Sequence, residues 1–252
     1  MQKPLVTIIV PNYNEAANLK RGVLTDLANF AKSQTYPVEI LISDDGSTDD
    51  SLAMIADFSA KHENFTLLKN PHHGKPYALR AAIKKASGQY VLFTDMDQST
   101  PISELNKLTP YISKDYKIVI GSRGVRRTDS ALYRQLASVI FLLARRMILL
   151  PEIKDTQCGF KLLEISLARK IFANMRIFGR DNHAKGWKVT AYDVELLHLA
   201  KKYGHKIKEV RVAWKDEDTS VGKNRNFLKE SYEMLFEIMR VRINDLLGKY
   251  NP

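Results

Sequence analysis

Three short acidic clusters carry the first chemistry that can be read from this chain. Asp95-Met96-Asp97 directly follows the apolar run 89–94. A strand that ends in two acids one residue apart sets carboxylates at the carboxyl edge of a sheet. There they can grip a hard divalent cation through oxygen, and the cation can grip a diphosphate. Such a pair also occurs in ordinary turns. Two earlier apolar runs end in the same manner: 6–10 enters Pro11-Asn12-Tyr13-Asn14-Glu15, and 38–42 enters Ser43-Asp44-Asp45-Gly46-Ser47. Asp44 and Asp45 could form only a turn and a helix cap, or could accept hydrogen bonds from a base edge or ribose hydroxyls. Open α/β sheets bind their ligands at that edge.

The elements that must position these residues alternate through the first half, which argues for a parallel sheet. After a strand over 5–10, a helix is expected from Glu15 to Lys32. Ser47 is expected to cap a second helix, with Asp50 three residues on as the acidic partner, running through Leu52, Ile55, Ala56 and Phe58. A short strand over 65–68 follows, then a helix after Gly74-Lys75 carrying Ala78, Leu79, Ala82 and Ile83. Gly88 ends that helix before the Asp95 strand. Another strand, 117–120, closes at Gly121-Ser122-Arg123.

The second half changes character. Residues 131–150 are helical in content and rich in Leu, Ile, Phe, Met and Arg. A polar loop is expected over 155–161, a helix over 165–173, a basic loop over 176–188, a helix over 192–203 and a strand over 208–214. Residues 215–225 are polar, and 226–247 form an amphipathic helix. These boundaries give a domain over 1–215, with a helical segment at 131–150 whose flanking arginines suit a membrane interface, and a loop with a C-terminal helix over 216–252.

Composition narrows the function. A chain of 252 residues with 44% apolar content suits one α/β domain with an appendage, or two small domains. The net charge of +11 points to an anionic partner, or only to a basic solvated surface. The single cysteine, Cys158, permits no internal disulfide and fits a reducing compartment. No signal peptide is apparent at the N-terminus. The apolar stretch 136–150 is broken by Arg145 and Arg146 and is too short to span a bilayer. No Gly-x-Gly-x-x-Gly follows the first strand, and Gly74-Lys75 lacks the rest of a phosphate-binding loop. A nucleic-acid partner has only the basic count in its favour. His183 has no paired ligand at metal spacing and reads as a surface histidine; no function is assigned to 179–187.

In order and spacing, Ile9-Val10-Pro11-Asn12-Tyr13-Asn14-Glu15, Asp44-Asp45-Gly46-Ser47-Thr48-Asp49, Gly74-Lys75, Asp95-Met96-Asp97 and Gly121-Ser122-Arg123 resemble the family-2 inverting glycosyltransferases of GT-A fold. In the second half, Asp155-Thr156-Gln157-Cys158-Gly159-Phe160-Lys161 and Tyr192-Asp193-Val194-Glu195-Leu196-Leu197 resemble the polyprenyl-phosphate branch. Dolichyl-phosphate glucosyltransferases are the nearest in pattern, and dolichyl-phosphate mannose synthases the second.

The resemblance implies an α/β fold with a mostly parallel central sheet, helices on both faces and a C-terminal amphipathic helix. It implies a peripheral enzyme at the cytoplasmic face of a membrane that moves glucose from UDP-glucose to a polyprenyl phosphate, with Mg²⁺ or Mn²⁺. Pro11, Asn14, Glu15, Asp44 and Asp45 would line the nucleotide pocket, Asp45 on the uracil and Lys75 near the base or ribose. Asp95 and Asp97 would hold the ribose and the metal. Asp155 could orient the acceptor, act as a base or anchor a loop, and Asp193 could contact the sugar or cap its helix. Arg123, Arg134 and Lys223 are the candidates for the acceptor phosphate. The mannose synthases place a metal-binding Gln two residues after the second Asp; here Gln98 is adjacent and Ser99 takes that place. Transfer from GDP-mannose, a soluble transferase acting on a glycan or protein, and a non-catalytic nucleotide-sugar sensor are the competing readings.

Overall fold

The computed structural model describes residues 3–124, 150–179, 192–215, 217, 219 and 227–250, with side chains in the last segment from 235 onward. Seven strands form one sheet: β1 (Val6–Asn12), β2 (Val38–Asp44), β3 (Phe65–Lys69), β4 (Tyr90–Phe93), β5 (Ile118–Ser122), β6 (Lys161–Glu164) and β7 (Ile207–Arg211). Their order is β3-β2-β1-β4-β6-β5-β7. All neighbours are parallel except β6, which runs antiparallel to both β4 and β5. The order reverses at β1, which separates β2 and β3 from β4, so the ends of β1, β2 and β4 flank the crevice where such sheets bind ligands.

The described helices are α1 (Ala16–Leu19), α2 (Val23–Ser33), α3 (Ser51–Ser59), α4 (Lys75–Lys85), α5 (Leu105–Leu108), α6 (Ile165–Asn174), α7 (Tyr192–Lys202) and α8 (Phe227–Leu246). Alternation along each strand sends side chains to opposite faces, and each face has its own core. Ile8, Val10, Ile40 and Ile42 pack with Leu24, Leu27 and Phe30 of α2 and Ile55 of α3. Ile9, Leu41, Val91 and Phe93 pack with Leu79 and Ile83 of α4, Ile171 of α6, Leu197 of α7 and Ile238 and Val241 of α8. Strands buried on both faces read as continuous apolar runs, which is why β1, β2 and β4 stand out in the sequence.

Three expectations are corrected. The helix expected over 15–32 is two pieces, because Gly22 sits at φ +89°, a left-handed conformation that interrupts the helical ladder. Ser47 does not cap α3: that helix begins at Ser51 after Asp50, with no side-chain cap, and Ser47 is held by Asp44 instead. The loop expected to include Lys161 ends earlier, since Lys161 opens β6, paired with Phe93 of β4 and Ile120 of β5. The segment 131–149, with Arg134 and its neighbouring arginines, lies outside the described residues, as do His183 and Lys223.

Candidate active site

At the β1–β2 end, register places Asn12 beside Asp44. Both are buried, and Asn12 Nδ2 donates to Asp44 Oδ1 at 2.7 Å and to Ser47 Oγ at 3.0 Å. Asp44 Oδ2 accepts the Gly46 and Ser47 amides, each at 3.0 Å, and Ser47 Oγ donates to Oδ1 at 2.5 Å. Asp44 therefore closes its own turn. Gly46 is required there: its φ is +76°, and a Cβ would lie 3.0 Å from the His72 amide nitrogen.

Asp45 faces the other way and binds the loop before α4. Its Oδ1 accepts the His73 amide at 3.0 Å, and its Oδ2 accepts the Gly74 amide at 2.8 Å. His72 Nδ1 lies 2.8 Å from Oδ2 and 3.0 Å from the Asp45 carbonyl, two acceptors, so Nδ1 must carry the proton. The imidazole stacks on Tyr13 with centroids 4.1 Å apart and planes at 11°. Asn14, at φ +53°, accepts the Thr48 amide at 2.8 Å. Glu15 is buried and accepts Asn18 Nδ2 at 2.5 Å, and Pro11 sits half-buried opposite Ser43. These residues form one cradle at the sheet edge, closed by amides and short side chains.

At the end of β4 the chemistry becomes ionic. Lys75, the first residue of α4, sets Nζ 2.5 Å from Asp95 Oδ1 and 5.9 Å from the centre of the Tyr192 ring. Burial works against its charge, but Asp95 and, further off, Tyr192 and Asp193 outweigh burial and hold the ammonium well above the ordinary lysine value. The other Asp95 oxygen lies against Gly159, where a Cβ would come within 2.2 Å of it and push the carboxylate aside. Asp97 Oδ1 accepts the Ser99 amide at 2.9 Å, and its carbonyl accepts Arg21 Nη1 at 3.2 Å. Gln98, at φ +51°, turns its amide back onto the Asp95 carbonyl at 2.8 Å, closing the turn.

Among the described residues, no group of three or more His, Cys, Asp or Glu is placed to hold a metal. The Asp95–Asp97 turn carries two carboxylates two positions apart, just past the end of β4. A cation there would draw its other oxygens from diphosphate and water, which suits Mg²⁺ or Mn²⁺.

Asp193 opens α7 beside this turn. Lys161 Nζ donates to its Oδ1 at 2.5 Å and also to the Cys158 carbonyl. Lys161 is 1% exposed, so its ammonium depends on those partners. A circuit results: Asp95 touches Lys75, Lys75 lies near Tyr192, Asp193 binds Lys161, and Lys161 holds the 158–159 turn against Asp95. Burial raises the Cys158 thiol, which is inert there and not a nucleophile.

Arg123 and Asp155 form a two-pronged pair. Nε donates to Oδ2 at 2.8 Å, Nη2 to Oδ1 at 2.9 Å, and the Arg123 amide to Oδ2 at 3.0 Å. Burial alone would raise the Asp155 carboxyl, but the Arg123 guanidinium overrides it and brings it down to about 2. The guanidinium also lies over the Trp214 ring, 5.6 Å from its centre. Glu209 of β7 accepts the Lys154 and Asp155 amides at 3.0 and 2.7 Å and fixes the backbone beneath.

The structure thus gathers Asp95, Lys75, Asp193, Arg123 and Asp155 along one edge, next to the Asp44–Asp45 cradle. Sequence reasoning quoted Tyr13, Gly159 and Lys161 within motifs but gave them no role of their own, and it did not single out Glu209 or His72. Lys161 had a signal: a lone lysine between Phe160 and Leu162-Leu163 marks a cation drawn into the core.

Residues 7–172 match the model of glycosyl transferase family 2. The dolichyl-phosphate beta-glucosyltransferase of Dictyostelium discoideum is 33% identical, with 96% of this chain and 75% of the relative covered. That of Saccharomyces cerevisiae is 30% identical, with 97% and 76% covered. Among solved structures, mannosyl-3-phosphoglycerate synthase from Rubrobacter xylanophilus superposes with a TM-score of 0.65 at 16% identity, over 99% of this chain and 76% of its own. Glucosyl-3-phosphoglycerate synthase from Mycobacterium tuberculosis, solved with Mn²⁺, UDP and glucosyl-3-phosphoglycerate, gives 0.62 at 19% identity, over 98% and 80%.

Proposed function

Because the chain belongs to glycosyl transferase family 2, we propose that it transfers glucose from UDP-glucose to a dolichyl or other polyprenyl phosphate, with inversion at the anomeric carbon. The observation that carries this reading is the likeness to dolichyl-phosphate glucosyltransferases over 96% of the chain, spanning both the Asp95 turn and the second-half circuit. In the reaction, an oxygen of the acceptor phosphate forms a bond to C1 of the sugar as the bond from C1 to the UDP oxygen breaks.

The cradle of Pro11, Asn14, Glu15, Asp44 and Asp45 takes the nucleotide, with Lys75 beside it. Asp95 and Asp97 would hold Mg²⁺ or Mn²⁺, which would supply charge neutralisation for the leaving diphosphate. Asp193, fixed by Lys161, faces the sugar. The acceptor phosphate has a second pKa of about 6 and is largely dianionic at neutral pH, so alignment serves it better than a strong base. Asp155, ionised down to a pH of about 2 and locked to Arg123, is a poor base and a good holder of Arg123. Arg123 faces the acceptor phosphate, with Arg134 and Lys223 as the further candidates. A lipid acceptor places the enzyme at a membrane surface, on the cytoplasmic side where nucleotide sugars are found. Among the described residues no helix is long and apolar enough to cross a membrane.

A donor screen tests the reading: purified protein, Mg²⁺ or Mn²⁺, vesicles carrying polyprenyl phosphate, and UDP-glucose, UDP-N-acetylglucosamine, UDP-galactose or GDP-mannose. Lipid-dependent release of UDP from UDP-glucose is expected. Release of GDP instead would make it a mannose transferase, and turnover only with a soluble acceptor would remove the lipid. Asp97→Ala should cut turnover by at least about a thousandfold while leaving the thermal unfolding midpoint in place. Near-normal turnover in that variant would refute the metal assignment.

A further inference from the structure

From residue 235 onward, helix α8 carries apolar side chains on two faces, one buried and one exposed. Ile238 and Val241 are buried against the domain, and Tyr250, just past the helix, is buried with its hydroxyl on Glu195 at 2.6 Å. On the opposite side Leu235, Phe236, Met239, Ile243, Leu246 and Leu247 are exposed, Leu246 by 70%, Leu247 by 63% and Phe236 by 60%. At 100° per residue these six fall within one third of the helix circumference. A soluble helix that buries one stripe normally surrounds it with polar residues. Six large apolar side chains in a row on the outward face make a patch that water disfavours.

The charges beside the patch say what covers it. From 235 onward the exposed charged residues are Arg242 and Lys249, both basic. The acids of the same stretch are withdrawn and paired: Glu237 with Arg240, and Asp245 with Lys202 at 2.6 Å and His198 at 3.3 Å. Arg242 leans towards Asp245 at 3.6 Å yet stays 44% exposed. An outward surface of apolar side chains edged by cations, with acids turned inward, complements an anionic lipid headgroup layer over hydrocarbon. A second copy of the chain fits less well. A two-fold contact pairs the same patch on both copies, and among the side chains described from 235 onward that patch offers no exposed acid to Arg242 or Lys249.

We infer that the outward face of α8 is a membrane-docking surface for anionic lipid, with Phe236, Met239, Ile243, Leu246 and Leu247 entering the headgroup–acyl boundary and Arg242 and Lys249 meeting phosphates. The helix packs on α7, whose first turn carries Tyr192 and Asp193, so docking holds the active site on a body already resting on the bilayer. The inference rests on the lipid acceptor proposed above for its purpose, but its test needs no acceptor.

The experiment is co-sedimentation of the full chain with vesicles free of polyprenyl phosphate, made either of phosphatidylcholine alone or of an equal mixture with phosphatidylserine. The wild-type protein is expected to pellet with the mixed vesicles, less with the neutral ones, and less again as salt is raised. Phe236→Glu combined with Leu246→Glu should weaken binding by at least about tenfold, since it withdraws two of the largest apolar surfaces. Its thermal unfolding and its turnover with a detergent-solubilised short-chain polyprenyl phosphate should stay unchanged. Arg242→Glu with Lys249→Glu, away from the apolar row, should remove the preference for phosphatidylserine. Wild-type protein that stays in the supernatant, glutamate variants that pellet like wild type, or a solution dimer that these variants dissociate would each overturn the docking surface. Loss of turnover on the solubilised acceptor by the wild-type protein would instead strike the proposed reaction and leave the vesicle result standing.

Discussion

The two ends of the active-site edge hold their carboxylates by different means. Around β1 and β2, Asp44 and Asp45 are closed by backbone amides and by short side chains such as Ser47 and Asn12. Around β4, β5 and β6, Asp95, Asp193 and Asp155 are each held by a long cation, Lys75, Lys161 and Arg123. Amides cannot leave without the backbone, so the first end is a preformed cradle. Lys75 and Arg123 are partly exposed and can exchange partners, so they can pass positive charge to an incoming phosphate, while Lys161 is sealed in place. That division suits a donor whose nucleotide must be seated and a reaction in which charge moves between two phosphate groups.

The sharpest way to break this comparison is to remove the cation that cannot move. Lys161 is sealed in the core, and Lys161→Met leaves the Asp193 carboxylate without it. The expected cost is about 3 kcal/mol of stability, since a half-sealed ion pair has lost one partner. Turnover should fall by at least about tenfold as Asp193 and the 158–159 turn lose their anchor. Adding Asp193→Leu should recover most of the stability and none of the turnover, read by denaturant unfolding beside steady-state kinetics. Recovery of both would make the pair purely structural.

A smaller effect is expected at Asp155, with a dependence on pH that identifies it. Its carboxyl lies at about 2 in the folded chain against an ordinary value of 3.8, so the unfolded state binds the proton more readily. The stabilisation is present in full above the unfolded value and is lost as pH falls through the folded one, and amounts to about 2 kcal/mol. Asp155→Asn should be less stable by that amount at neutral pH, and the gap to wild type should close as pH approaches the folded value. A gap independent of pH would show that Arg123 is not its source. If Asp155 only holds Arg123, as proposed, the acid limb of the rate profile should not move.

The same division explains how much of the molecule could be read in advance. The strands at the cradle end are parallel, largely buried and mostly apolar, so each ends visibly in its polar cluster, and the cluster binds residues nearby in space and in pattern. At the ionic end, β6 is four residues long, begins with a lysine and pairs antiparallel with two strands far off in sequence. The apolar neighbours of Lys161 mark it as buried, but its place in a strand follows only from its pairing with Phe93 and Ile120. Glu209 and Gly159 were hidden for the same reason, since each matters through a partner more than fifty residues away. Ser47 misled in the opposite sense: its sequence neighbours suit a helix cap, but the buried Asp44 carboxylate next to it is the stronger partner.

Ser47 therefore gives the mildest test of the comparison. Its hydroxyl donates to Asp44 at 2.5 Å and accepts from the Asn14 amide and from Asn12, each at 3.0 Å. Ser47→Ala removes that junction, but Asp44 keeps the Gly46 and residue-47 amides and the Asn12 side chain. With most of the cradle's bonds carried by backbone, the expected cost is about 1 kcal/mol. The KM for the nucleotide sugar should rise only slightly and kcat should hold. If Ser47→Ala instead destabilised the protein as much as Lys161→Met, the cradle would depend on one side chain as heavily as the ionic end does. The contrast between a seat made of amides and a relay made of cations would then fail.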